Sequence, residues 1–270
     1  MIPEPAPTVR ELLAFYLEAG VDCALAEEPV DRLAELDAPP PVPRVAPVEA
    51  PRPVAAPAML RGEAASAPDV AIASAREAAR TAPTLEALRE LMQNFEGCAL
   101  KHTATRLVFA DGNPQARIMF VGEAPGRDED IEGLPFVGRS GKLLDLMIGA
   151  IGLNRSTAYI TNVIPWRPPG NRTPTPQETQ ICLPFIQRHI ELVNPDVLVT
   201  LGNPSTQTLL STREGIMRTR GRWFEYETGQ RTIRALPTFH PAYLLRSPSY
   251  KRLAWQDLRA IAKVLALGST

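Results

Sequence analysis

The sequence predicts an α/β protein, a three-layer α/β/α domain with a central four-stranded parallel sheet, preceded by a flexible N-terminal extension. Three observations carry this. Apolar runs of strand length stand at residues 117–121, 159–164, 197–202 and 233–239. Stretches of helical period, 139–152, 176–193 and 203–210, alternate with them and another follows at 249–266, the pattern of a parallel sheet covered on both faces. Half of the 28 prolines fall in the first 83 residues, where no such alternation is visible.

The elements follow in order. In residues 8–20, Val9, Leu12, Leu13, Tyr16 and Leu17 recur at helical spacing, and Thr8 is expected as the N-cap with Glu11 at N3 of a capping box and Gly20 as a stop. Residues 1–36 are therefore expected to be an amphipathic helical segment. One such helix cannot bury its own apolar face, which makes a protein partner for it possible. The Pro/Ala/Val-rich residues 37–83 predict a semi-rigid or disordered linker. Order is expected to resume at Thr84, with Leu85, Leu88, Leu91 and Met92 as a helical stripe, and to continue as one domain over 84–270. Residues 107–114 predict a short strand running into a turn, ahead of the strand at 117. Deletion of residues 1–83 is expected to leave activity nearly intact.

Composition bounds the function classes. A chain of 270 residues with 44% hydrophobic content holds one sizeable domain and an extension. No run approaches the roughly 18 apolar residues of a membrane span, and the first residues lack a signal-peptide pattern, so a cytoplasmic location is expected. The net charge of −1 hides an asymmetry: residues 1–83 carry −6 and residues 84–270 carry +5. Between Arg213 and Arg259 ten Lys/Arg stand against four Asp/Glu, which suits a polyanion such as nucleic acid. Cys23, Cys98 and Cys182 are scattered, without a CxxC pair.

Each predicted strand delivers polar residues at its C-terminal end, the edge where open α/β sheets bind ligands. Glu123, Asp128, Glu129 and Asp130 follow the first, Thr161 and Asn162 end the second, Gly202 and Asn203 follow the third, and His240 follows the fourth. Gly138-Arg-Ser-Gly-Lys-Leu lacks the spacing of a Walker A loop, and Gly122-Glu-Ala-Pro-Gly126 is not GxGxxG, so nucleoside triphosphate and dinucleotide binding fit poorly.

Gly122-Glu-Ala-Pro-Gly126 with Glu129-Asp130, Gly133-Leu-Pro-Phe-Val-Gly138, Thr161-Asn162-Val163, the Arg167-to-Thr175 loop and His240-Pro-Ala-Tyr-Leu-Leu-Arg246 together resemble the family 4 uracil-DNA glycosylases, from about residue 95 to 265. The resemblance implies a monofunctional enzyme of base excision repair that flips uracil out of DNA and hydrolyses its N-glycosidic bond. It implies uracil contacts from Glu123, Ala124, Pro125, Phe136, Asn162 and His240, with Phe136 stacking on the base, Asn162 reading its edge and His240 donating to O2. Catalytic roles fall to His240 and to Glu123, Glu129 and Asp130. The best-known branch has Asp where this chain has Ala124, so water activation is expected from a neighbouring carboxylate, Glu129 or Asp130, or from backbone carbonyls. DNA contacts are expected from Arg139, Ser140, Arg167, Asn171, Arg172, Tyr243, Leu244, Leu245 and Arg246, the Tyr243–Arg246 stretch acting as wedge and clamp. His102 and His189 are placed on surfaces without a role.

The family's iron–sulfur cluster takes four cysteines. Here Cys98 and Cys182 match two positions, but Phe95 and Trp166 occupy the others, so the cluster is expected to be absent and the two cysteines to be remnants, with no metal bound. The expected partner is uracil-containing DNA, with no membrane, and the expected state is a monomer. Two other readings stay open: a glycosylase of different range, for deaminated purines or etheno-cytosine, and a non-catalytic uracil-DNA binding module.

Overall fold

The computed structural model describes residues 67–267. The helix expected at 8–20 and most of the expected linker lie outside the described residues.

The first described element corrects the linker expectation. Ala67–Thr81 is a helix, α1, because the prolines thin out after residue 57 and Pro68 falls in the first turn, where its missing N–H breaks no helical bond. The Ala-rich run that follows favours helix. Its Ala75 and Ala79 are buried, and Ala82 just beyond it accepts two hydrogen bonds from Arg188, at 3.0 and 2.7 Å. Helix α2 (Leu85–Asn94) begins as expected: Thr84 caps it, accepting from Ala87 N, and Leu88 and Met92 point inward. A single turn, α3 (Leu100–Thr103), leads to β1 (Asp111–Gly112).

The remaining elements are β2 (Ile118–Gly122), α4 (Arg127–Glu132), α5 (Arg139–Gly149), β3 (Tyr159–Asn162), α6 (Pro176–Val193), β4 (Val197–Leu201), α7 (Asn203–Leu210), α8 (Ile216–Thr219), β5 (Phe224–Glu227), β6 (Thr232–Thr238), α9 (Pro241–Arg246) and α10 (Lys251–Leu267). Among the described residues one sheet of six strands forms, in the order β1-β3-β2-β4-β6-β5. The four expected strands are its centre, and all three of their pairings are parallel. The expected count is corrected at both margins, where β1 and β5 pair antiparallel. β1 is only two residues long. In Phe224-Glu-Tyr-Glu227 the glutamates are exposed and only Tyr226 is buried, as befits an edge.

Strand side chains alternate between two cores. Met119, Val121, Tyr159 and Leu198 face α1, α2 and α6, with Phe185 and Trp166 among the buried rings. Ile118, Phe120, Ile160, Val197, Val199 and Leu236 face α5 and α10. Both faces are covered, which is why these strands read as unbroken apolar runs. Each such side chain contributes about 1.5–3 kcal/mol on burial. His189, expected on a surface, is instead 2% exposed: its Nε2 meets the Tyr159 hydroxyl at 2.8 Å and its ring stacks on Phe109 at 4.4 Å. No helix among the described residues is long and apolar enough to cross a membrane.

Candidate active site

Because β2, β3, β4 and β6 run parallel, their C-terminal ends deliver Glu123, Asn162, Gly202 and His240 to one edge of the sheet. There a cavity of about 390 Å³ is lined by Glu123, Ala124, Pro125, Phe136, Asn162 and His240, with Ser140, Asn171, Arg172 and Arg246 around them.

Asn162 ends β3 directly opposite Gly122. The approach is so close that a Cβ on Gly122 would stand 2.3 Å from Asn162 Oδ1 and 2.6 Å from the Phe136 ring. The Asn162 side chain is buried, borders the cavity and has no hydrogen-bond partner among the described residues, which leaves one donor and one acceptor for a ligand. Phe136 holds a φ of 56°, the left-handed region that phenylalanine rarely enters, and its ring centroid lies 5.5 Å from that of His240.

His240 caps α9, and its Nδ1 accepts a hydrogen bond from Ala242 N at 3.1 Å. Nδ1 is therefore unprotonated and Nε2 carries the hydrogen. Burial, with the Arg246 charge added, pushes the pKa of this ring down to about 4. His240 is thus a neutral N–H donor at the cavity wall.

The carboxylates divide by environment. Glu129 lines the cavity, but its Oε2 accepts from Gly126 N at 3.0 Å and its Oε1 from Val137 N and Gly138 N at 3.1 and 3.0 Å, so both oxygens brace the loop. Asp130 lies outside the cavity lining and accepts from Thr105 N, Thr105 Oγ1 and Arg106 N, with Arg167 Nη1 at 3.9 Å. The sequence pattern, four acids in eight residues, does not separate these bracing roles from chemistry. Glu123 alone among the expected acids faces the cavity with no partner among the described residues, and burial raises its pKa.

Around the rim, Arg167 Nε donates to Asn171 Oδ1 at 2.7 Å, and Arg172 holds Glu178 through two bonds of 2.8 and 2.6 Å. Pro168, Thr173 and Pro174, which the sequence marked only as parts of the Arg167-to-Thr175 loop, complete this wall. Arg139 and Arg246 are exposed, with no ion pair among the described residues. Leu244 is 1% exposed and belongs to the core, whereas Leu245 is 37% exposed, so of the expected wedge pair only Leu245 is presented to solvent. Tyr243 stacks on Phe239 at 5.4 Å.

Cys98 and Cys182 are both fully buried, and Cys182 keeps its proton because the hydrogen bond to Cys98 and burial raise its thiol. Phe95 and Trp166 share their core, Phe95 lying edge-on to Phe185 at 5.0 Å. Among the described residues no three His, Cys, Asp or Glu side chains converge as metal ligands. Two thiols with two aromatic rings do not fit a four-cysteine cluster.

Comparison with known proteins places the chain in a family. A model of the uracil DNA glycosylase superfamily matches residues 109–259. The type-4 uracil-DNA glycosylase of Archaeoglobus fulgidus is 40% identical over 181 residues, covering 66% of this chain and 90% of that protein. Those of Thermotoga maritima, 40% identical over 177 residues, and Sulfurisphaera tokodaii, 39% over 186, are covered over 91% and 84% of their lengths, with 64% and 67% of this chain matched. Residues 109–259 hold every cavity-lining side chain described above, and with them this chain belongs to the uracil DNA glycosylase superfamily, among the type-4 enzymes.

Proposed function

We propose that this chain is a monofunctional uracil-DNA glycosylase of base excision repair, working on a base flipped out of the DNA stack. The observation that carries the reading is the meeting of an unpartnered Asn162 amide and a neutral His240 donor over the Phe136 ring. The extruded uracil stacks on Phe136, and the Asn162 amide takes N3–H and gives to O4. Cytosine presents the opposite edge and leaves buried polar groups unpaired.

As the bond between C1′ and N1 lengthens, positive charge grows on the sugar and negative charge on uracil, largely at O2. Nε2–H of His240 meets that oxygen; a preorganised donor of this kind is worth about 2.7–4 kcal/mol in the transition state. Glu123 is the carboxylate that offsets the sugar's charge and orients a water, whose oxygen bonds to C1′ and whose proton passes to the Glu123 carboxylate while the base leaves as an anion with the electron pair of the broken bond. Glu129 and Asp130 act through the shape of the loop. A lyase step needs an amine, and no lysine lines the cavity. Arg246, Arg139 and the Arg167–Arg172 loop hold phosphates outside, with Leu245 filling the vacated stack.

We also infer that the enzyme works without an iron–sulfur cluster, Phe95 and Trp166 packing the region by apolar contact. Iron analysis and a visible spectrum of anaerobically purified protein test this, and stoichiometric iron would refute it.

The function is tested by incubating the protein with uracil-containing oligonucleotides beside an Asn162→Asp variant and a panel of other damaged bases. Abasic product from uracil is expected, with at least about a 1,000-fold loss of kcat/KM in the variant. Tight binding without release of base would instead mark a non-catalytic damage-binding module.

A further inference from the structure

We infer that Arg155, which does not itself line the cavity, is a positioning residue for the flipped base: it holds the main chain of Phe136 so that the ring stays flat beneath the site. This rests on the role of Phe136 as the stacking platform.

Arg155 lies in the connection between α5 and β3. Its guanidinium donates to the carbonyl of Pro135 at 3.1 Å and to the carbonyl of Phe136. It is held from behind by Asp145, at 2.8 Å, and by Asp111. Asp111 comes from β1, whose pairing with Ile160 places it beside the arginine. The short edge strand therefore has a task beyond closing the sheet, since it carries the carboxylate that aims Arg155.

A second device acts on the same carbonyl. The first turn of α5 lies so close that a Cβ on Gly141 would stand 1.7 Å from Phe136 O. The carbonyl is thus pinned between a bare glycine and a guanidinium fork, and the residue is kept at a φ of 56° that it would not adopt by preference. Backbone strain of this kind persists only where the surroundings over-determine it. Once the fork is removed, Phe136 is free to return to a common backbone conformation and its ring leaves the plane under the base. The loss then falls on base capture and bond cleavage, and DNA-backbone binding is spared.

The test uses the full-length chain with Arg155→Ala, Phe136→Ala and the double variant. Two quantities are read: the single-turnover rate of uracil release, and the affinity for an oligonucleotide carrying a tetrahydrofuran abasic analogue. Arg155→Ala is expected to slow release about 10- to 100-fold, the scale of a misplaced reacting group, with analogue affinity held within about two-fold. The double variant is expected to be no slower than Phe136→Ala alone, because one residue acts through the other. A rate within two-fold of wild type for Arg155→Ala beside an impaired Phe136→Ala overturns the positioning role alone, and so do losses that multiply. Full activity of Phe136→Ala removes the platform reading as well. If Arg155→Ala does not fold, Asp111→Asn takes its place: a loss of about 3- to 10-fold is expected that disappears in the Phe136→Ala background, and a loss that persists there overturns the inference.

Discussion

The Asn162 amide lies against the bare Cα of Gly122, its register partner on the neighbouring strand, with 2.3 Å between Oδ1 and the position a Cβ would take. The Phe136 ring occupies the other side of the same space. Gly122 therefore sets the distance between the Asn162 amide and the Phe136 ring. Gly122→Ala is expected to displace both and to lower kcat/KM on uracil DNA about 100-fold. Steady-state kinetics checks this; an alanine variant of unchanged kcat/KM would show that the two groups need not be so close.

The protonation state of His240 predicts a pH profile. A ring with a pKa near 4, whose Nδ1 already accepts from Ala242 N, is neutral throughout the physiological range. kcat/KM is expected to show no inflection from this ring at the ordinary histidine value near 6.5. On acidification Glu123, raised by burial, is protonated first and activity falls. His240→Asn is expected to lower kcat by about 10²–10³ without moving that acid limb. Glu123→Gln is expected to remove it. An inflection near 6.5 in the wild type that vanishes in His240→Asn would contradict the neutral-donor assignment.

Glu123 and Glu129 are predicted to part company. Glu129→Gln turns an NH₂ toward at least one of three backbone N–H groups, which costs about 1–3 kcal/mol and lowers Tm by several degrees. Glu123→Gln removes a partly desolvated carboxylate with no partner among the described residues, so Tm holds or rises while activity drops. Calorimetry beside the glycosylase assay decides, and the opposite pairing of effects would return Glu129 to the chemistry.

A buried histidine far from the cavity sets an acid limit on stability. Burial lowers His189 to about 3 from an ordinary 6.5. The unfolded chain takes up this proton as pH falls below 6.5 and the folded one does not, so stability is lost between about 6.5 and 3. At pH 5 the loss from this ring is on the order of 2 kcal/mol. His189→Gln keeps a partner for Tyr159 and does not titrate. Urea denaturation at pH 7.5 and 5.0 is expected to show a smaller acid loss in the variant, and equal losses would contradict the assignment.

Helix α1 moves the truncation point. A chain beginning at residue 67 is expected to retain kcat/KM within about two-fold, whereas one beginning at residue 84 loses the buried Ala75, Ala79 and Ala82 and unfolds at lower temperature. Equal Tm for the two truncations would show that α1 contributes nothing to the domain.

The parallel centre of the sheet was legible because strands buried on both faces must be apolar along their length and bounded by helices of different period. That Asn162 and His240 would meet at one sheet edge was legible because parallel strands bring their C-terminal ends together there. The edge strands were less so: a short strand was expected within 107–114, but the pairing there takes only Asp111 and Gly112, and the half-charged run at Phe224 leaves too little pattern. Nor does local sequence separate Glu123 from Glu129 and Asp130. That distinction depends on which carboxylates meet backbone N–H groups, eight residues away for Val137 and 25 for Thr105. Leu244 and Leu245 differ for a similar reason, since one turn of helix decides which of two adjacent leucines meets the core.

The missing charge on His240 has a consequence for how DNA is sorted on this surface. A cationic ring in the cavity would attract phosphate as strongly as a base and would compete with Arg246 for the backbone. With an uncharged donor and the Glu123 carboxyl in the cavity wall, the positive charge of the lining is that of Arg172 and Arg246. On the proposed function, phosphates would then stay outside, and the group that crosses the threshold would be neutral, planar and able to answer an amide.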